Sequence, residues 1–144
     1  MSDTPFFPSS TGITCSCRQL HPDAVLGITL FNQRKFFEAH EALETAWREE
    51  TGVLRELYRG ILQIGVAYYH IQRGNYNGAR KLFQRARRWL APFPKVCCGV
   101  PVADLLLDLQ RAEEELLRLG PDRIQHFNPG LFKPVEIKEG EENQ

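Results

Sequence analysis

One segment of the chain places an imidazole and a carboxylate on successive turns of a predicted helix. His40 and Glu44 are four residues apart in the segment FFEAHEALETAW, residues 36–47. Side chains at positions i and i+4 are neighbours on a helix surface. Such a pair can chelate one metal ion, and His70 can supply a third ligand. A metal-dependent, hydrolase-like enzyme that uses His40, Glu44 and His70 is therefore one interpretation of this segment.

The same segment differs from the zinc-protease motif at a decisive position. That motif is His-Glu-x-x-His, whereas here Glu44 stands where the second histidine belongs. A protease is therefore not expected. A divalent metal is the one cofactor that the sequence leaves open, and otherwise no cofactor is expected.

A second interpretation makes these residues a structural polar cluster. Arg59, Gln63 and His70 lie on one face of the next predicted helix. If the two helices pack as antiparallel neighbours, these side chains meet His40 and Glu44. Buried polar groups must be hydrogen-bonded, so a network of this kind can fix the register between two helices.

A third interpretation is a binding groove between the second and third helices. Trp47, Tyr68 and Tyr69 are predicted to line it beside the polar cluster. Stacked helical hairpins often present concave binding surfaces, and a peptide or protein partner suits such a surface better than a small molecule. We take a binding or interaction module as the leading interpretation and the metal-dependent enzyme as the alternative.

The periodicity of apolar residues predicts an all-α fold. Residues that recur at helical spacing, together with capping and stop signals, delimit five helices. Their predicted ranges are 22–32, 35–50, 53–73, 75–90 and 101–119. Residues 21–120 are expected to form the helical domain, preceded by a flexible arm at 1–20 and followed by a tail at 121–144.

A weak internal repeat with a period of 40 residues predicts how these helices pack. An aromatic, a small, a large apolar and a small residue follow one another in both copies. This order is typical of the second helix of a tetratricopeptide repeat. The positions are Phe36, Ala39, Leu43 and Ala46 in the first copy and Tyr76, Ala79, Phe83 and Ala86 in the second. We therefore expect a five-helix bundle of two stacked antiparallel hairpins plus a C-terminal helix.

The tail is expected to return to the helices through its apolar residues. Phe127, Leu131 and Phe132 lie among the turn signals of this segment. The sequence leaves open whether they pack on their own chain or on a second copy in a homo-oligomer.

Charge and hydropathy exclude several classes of partner. The 144 residues carry 18 basic and 18 acidic side chains, so no overall field favours nucleic acid or a charged membrane. The basic stretch from Arg73 to Arg88 is interpreted as a solvated face balanced by Glu113–Glu115. Neither a secretory signal nor an apolar run of about 18 residues is present. A soluble, cytoplasmic protein is the expectation.

The four cysteines form two close pairs, at Cys15 and Cys17 and at Cys97 and Cys98. Their spacing does not fit the usual zinc ribbon, which has two residues between the members of each pair. In a cytoplasmic protein, reduced thiols are the expected state.

Two separated motifs resemble the domain-of-unknown-function 309 family. They are His40-Glu41-x-x-Glu44-x-x-Trp47, followed by Gly60-x-x-Gln63, and His70-x-x-x-Gly74-Asn75-x-x-Gly78. The resemblance covers about residues 24–92 and implies a small all-helical fold. It implies no established activity.

Overall fold

The computed structural model describes residues 12–17 and 19–138. Within these residues the chain forms five α-helices followed by two short 3-10 helices at Pro121–His126 and Pro129–Leu131. The α-helices are α1 Pro22–Asn32, α2 Phe36–Glu49, α3 Leu54–Gln72, α4 Tyr76–Leu90 and α5 Val102–Leu119. The all-α prediction is confirmed, and each predicted helix is found within one or two residues of its expected bounds.

Local signals explain where helices begin and end. Pro22 is the first residue of α1, where its fixed φ suits a helix and its missing N–H costs nothing. Gly74 has φ +77°, which ends the turn after α3 in a conformation that favours glycine. Asn75 then caps α4, because its Oδ1 accepts a hydrogen bond from the Gly78 N–H at 2.9 Å.

The buried faces of α2 and α4 agree with the internal repeat. The buried residues of α2 are Phe36, Ala39, Leu43 and Ala46, and those of α4 are Ala79, Phe83, Ala86 and Leu90. Tyr76, the first aromatic of the second copy, is only half-buried. Consecutive helices contact each other from α1 to α5. The stacking of two hairpins as in a tetratricopeptide protein stays a prediction.

Tyr68 lies at the centre of an aromatic cluster. Its ring centroid is 5.7 Å from that of Phe31, 5.3 Å from Phe36, 6.0 Å from Phe83 and 4.8 Å from Phe132. The side chain is fully buried, and this burial raises the pKa of its hydroxyl above the ordinary value. The prediction that Tyr68 lines a groove is therefore wrong, because α3 turns this residue into the core.

The tail packs on its own chain. Phe127, Phe132 and Val135 are buried. The Asn32 side chain pairs with the Val135 backbone, donating to its carbonyl and accepting from its N–H, both at 2.8 Å. The Lys138 N–H donates to the Gly99 carbonyl at 2.7 Å. Of the two arrangements left open for the tail, packing in cis is the one found; residues 139–144 lie outside the described range.

The cysteines pair across the molecule. Cys15 is bonded to Cys97 and Cys17 to Cys98, so the predicted free thiols are corrected to two disulfides. They join residues 12–17 to the loop between α4 and α5. The spacing of the four cysteines did not predict these bonds, because bonded partners that are more than 80 residues apart leave no local pattern in the sequence. A thiol-based zinc site is excluded in this oxidised state, since metals bind the thiolate. The flexibility of residues 1–20 stays a prediction, as does a cytoplasmic location.

Two further findings bear on partners. None of the helices in the described residues is long and apolar enough to cross a membrane. Arg87, in the basic stretch from Arg73 to Arg88, forms an ion pair with Glu113 of α5. Glu113 is one of the three glutamates that were expected to balance this stretch.

Candidate functional site

A small cleft opens between α2 and α3. Its volume is about 230 Å³. The lining residues are His40, Glu44 and Trp47 from α2 and Arg59, Leu62 and Gln63 from α3. The structure therefore brings together four of the five residues of the predicted polar cluster, and one of the three predicted groove residues.

Helical phasing explains why polar residues line this cleft. The stripe that α2 buries is formed by Phe36, Ala39, Leu43 and Ala46. His40, Glu44 and Trp47 stand beside that stripe and are half-buried. The recurrence of Phe36, His40, Leu43 and Trp47 at i, i+4, i+7 and i+11 predicts a packed face that includes His40 and Trp47. The observed face is rotated slightly from this prediction. The rotation leaves these side chains at the edge of the helix–helix contact, where they still reach solvent.

Arg59 is held against two indole rings. Its guanidinium carbon is 4.8 Å from the centre of the Trp47 ring and 4.2 Å from that of Trp89 on α4. Arg55 also lies over Trp47, at 4.5 Å. A guanidinium at these distances is attracted by the ring face, more strongly where solvent is excluded. The contacts fix the orientation of Arg59, which is only 22% exposed.

The charged side chains at the cleft pair with neighbours on their own helices. Glu44 lies 3.0 Å from Arg48 Nη2 and 3.9 Å from His40 Nε2. Glu56 lies 3.4 Å from Arg59 Nε and 3.5 Å from Arg55 Nη1. The lining itself carries one guanidinium, Arg59, and one carboxylate, Glu44.

Two polar atoms of the cleft residues are shielded from solvent and unpaired. Neither Trp47 Nε1, a donor, nor Gln63 Oε1, an acceptor, has a hydrogen-bond partner in the part of the chain that the structure describes. A buried polar group without a partner costs about 1–3 kcal/mol. Since neither atom is exposed, each can bond to an outside partner only after its side chain turns outward.

His70 does not join the cleft. It follows Gln63 by seven residues, which is about 10 Å along a helix axis. The rings of Phe37 and Tyr69 form a chain of contacts between it and His40, with neighbouring centroids 5.8–6.4 Å apart. His70 Nδ1 instead contacts the Asn75 amide at 3.2 Å, and partial burial lowers its pKa. The three predicted metal ligands are not brought together.

Metal-ligand spacing occurs elsewhere among residues 12–17 and 19–138. His21, Asp23 and Glu49 have ligand-type atoms within 4.8 Å of one another. However, His21 Nδ1 accepts a hydrogen bond from the Asp23 N–H at 2.9 Å, and Nε2 contacts Glu49 at 2.7 Å. With both ring nitrogens engaged, His21 caps α1 and ties its start to the end of α2.

The sequence interpretation missed part of the site. Trp89, Arg55 and Glu56 were not singled out, although they surround Arg59. Arg55 and Glu56 fall within one turn of Arg59 and were detectable by helical spacing. Trp89 comes from another helix, and no local pattern points to that contact.

Comparison with known proteins gives a match that runs from α1 into α4. A family model described as Domain of unknown function (DUF309) matches residues 25–82. The resemblance stated from the two motifs is thereby confirmed over this range. All six residues that line the cleft lie within it, whereas Trp89 and the four cysteines lie outside.

A bacterial protein is similar to part of the chain. The chain is 41% identical over 58 residues to the "Uncharacterized protein YpuF" of Bacillus subtilis (strain 168). The alignment covers 40% of this chain and 33% of the relative. The chain thus spans about a third of the length of the curated relative that it matches.

Proposed function

We propose that this chain is a binding module that holds a protein or peptide partner through the surface formed by α2 and α3. The observation that carries the proposal is the pair of shielded, unpaired atoms, Trp47 Nε1 and Gln63 Oε1, at one cleft. Buried polar groups in proteins are almost always satisfied. A partner that supplies an acceptor and a donor would satisfy both.

The size of the cleft supports a partner rather than a free metabolite. Sites for small molecules usually enclose about 300–1,000 Å³ and surround most of the ligand. At about 230 Å³, this cleft suits one anchoring side chain of a larger molecule. Trp and Arg, both present here, are the residues most enriched at the centres of protein interfaces.

An apolar patch extends this surface along α2 and α3. Phe37 is 51% exposed, and its ring centroid lies 5.8 Å from that of Tyr69. The patch is continuous with the polar cleft, since the Phe37 ring also neighbours His40. A polar anchor beside an exposed aromatic pair is an arrangement that a peptide can span.

The metal-dependent enzyme has less support. Its third ligand, His70, lies beyond the Phe37 and Tyr69 rings from His40. We infer that partner binding needs no divalent metal, so a chelator should leave the affinity unchanged.

Selection from a displayed library of random peptides tests the proposal. We expect peptides whose affinity falls about tenfold or more in Trp47→Ala, as is typical of a central interface tryptophan. Leu117→Ala is the control, because Leu117 is 50% exposed on α5 and far from α2 in sequence. Melting temperatures establish that both variants are folded. Selected peptides that bind wild type and Trp47→Ala equally would contradict the use of this surface.

A further inference from the structure

We infer that the cleft between α2 and α3 recognises the side-chain carboxylate of an acidic residue, with Arg59 as the residue that binds it. The inference rests on the proposed binding function and specifies the chemistry of the anchoring group. It depends on three features: the donors that the cleft offers, the apolar surface beside them and the absence of available backbone donors on these helices.

Arg59 is prepared to bind an anion. Its Nε faces Glu56 at 3.4 Å, and its guanidinium group borders the cleft. A guanidinium presents its donors in a planar fork that matches a carboxylate. The two indoles already restrict the orientation of Arg59, so less conformational entropy is lost on binding than for a free arginine.

A second donor lies in the same cleft. Trp47 Nε1–H is shielded and lacks an acceptor among the residues that the structure describes. Its ring contacts the Arg59 guanidinium, so the two side chains border the same part of the cleft. One carboxylate has two oxygens and can accept from both groups. Glu44, the carboxylate among the lining residues, is paired with Arg48 at 3.0 Å.

The apolar part of the cleft indicates a side chain with a short hydrocarbon stem. Leu62 belongs to the lining together with the Trp47 ring. The methylene groups of a glutamate can lie on these surfaces while its carboxylate reaches Arg59. A chain terminus is disfavoured, because capture of a terminal carboxylate uses free backbone N–H groups. The cleft residues lie inside helices, where those groups are already bonded.

Titration of the two indole N–H resonances in a proton–nitrogen NMR spectrum tests this inference. The chain has two tryptophans, so Trp89→Phe assigns both signals. The probe is N-acetyl-glutamate amide, with N-acetyl-glutamine amide as its neutral isostere. N-acetyl-glutamine with a free terminal carboxylate and inorganic phosphate serve as the other anions. We expect a saturable shift of the Trp47 signal with the glutamate probe, which is stronger than with any of the other three.

Two arginine variants separate charge from geometry. Arg59→Gln should weaken binding of the glutamate probe about tenfold or more, as expected for loss of a hydrogen bond between charged groups. Arg59→Lys keeps the charge but not the fork and should recover only part of the affinity. Arg73→Gln is the matched control, because Arg73 also lies over an aromatic ring, that of Tyr69, but does not line the cleft. The backbone amide spectrum shows whether each variant is folded.

Several outcomes would overturn the inference. They are no saturable shift with the glutamate probe, an equal shift with the glutamine amide, a preference for the terminal carboxylate or phosphate, and full binding by Arg59→Gln. If the glutamate probe does not bind while selected neutral peptides still lose affinity in Trp47→Ala, only the inference about the carboxylate is wrong. If the probe binds but no peptide depends on Trp47, the partner proposal is the one that fails.

Discussion

At the scale of single residues, two glycines determine how closely neighbouring helices approach. A Cβ atom added at Gly60 of α3 would lie 2.5 Å from Leu90 Cγ of α4. One added at Gly27 of α1 would lie 2.6 Å from Leu43 Cγ of α2. Both leucines are fully buried, so they have little room to move away. These contacts hold α2 close to α1 and α3 close to α4.

Gly60→Ala should therefore destabilise the fold. The added methyl group overpacks a tight core contact, which costs about 1–3 kcal/mol. The free energy of unfolding, measured by denaturant titration, should fall by that amount. Gly12→Ala is the control, because nothing lies within 4 Å of a Cβ at Gly12. Equal stability of Gly60→Ala and wild type would mean that α3 and α4 are less closely packed than described.

At the scale of elements, Asn32 joins the end of α1 to the C-terminal tail. Its side chain makes both hydrogen bonds that a neighbouring backbone strand would make to Val135. The tail in turn places Phe132 against Phe36 and Tyr68, at 5.6 and 4.8 Å between centroids. The first helix and the last described segment are thus fixed to one another although they are 103 residues apart.

Asn32→Ala should loosen the tail and leave the helices folded. The two lost hydrogen bonds leave the Val135 N–H and carbonyl without partners, at a cost of about 1–3 kcal/mol. We expect faster hydrogen exchange at the Val135 amide, while amides in the middle of α3 keep their protection. Gln33→Ala, which removes an exposed neighbour, should exchange like wild type. Unchanged protection at Val135 in Asn32→Ala would show that the tail is held by its apolar contacts alone.

Also at this scale, single-helix patterns could be predicted and contacts between helices could not. The internal repeat picked out Phe36, Ala39, Leu43 and Ala46, which are all buried, because such a period depends on one helix alone. Whether His70 reaches His40 depends on the axial register of α3 against α2, which no local pattern encodes. The contact of Trp89 in α4 with Arg59 in α3 likewise depends on how two helices pack, so no local pattern predicts it. The predicted polar cluster was consequently right for His40, Glu44, Arg59 and Gln63, which line one cleft. It was wrong for His70, which lies about 10 Å farther along α3 than Gln63.

At the scale of the whole molecule, two disulfides close nearly the same ring. Their partners are 82 and 81 residues apart, and the bonds lie side by side. Closing a ring of this length restricts the unfolded chain and stabilises the fold by roughly 4 kcal/mol. The second bond adds only a very small loop to a ring that the first has already closed. Their contributions should therefore not be additive.

Paired cysteine-to-serine variants test this expectation. Removing one bond, as Cys15→Ser with Cys97→Ser or Cys17→Ser with Cys98→Ser, should cost about 2 kcal/mol or less, because the other bond still closes the long ring. Removing all four sulfurs should cost more than the two single losses combined. Unfolding under non-reducing conditions gives the three free energies. Strictly additive losses would contradict the shared-ring explanation.

The ring between Cys15 and Cys97 has a consequence for backbone cleavage. It contains the whole segment that matches the DUF309 family model, since residues 25–82 lie between the two bonded positions. A protease that cuts once in the exposed loop after α2, at residues 51–53, leaves two fragments that are still joined covalently. The cut chain keeps its mass, apart from one added water, until the disulfides are reduced. Its α2 and α3 then stay connected through the α4–α5 loop and not through the turn that normally links them.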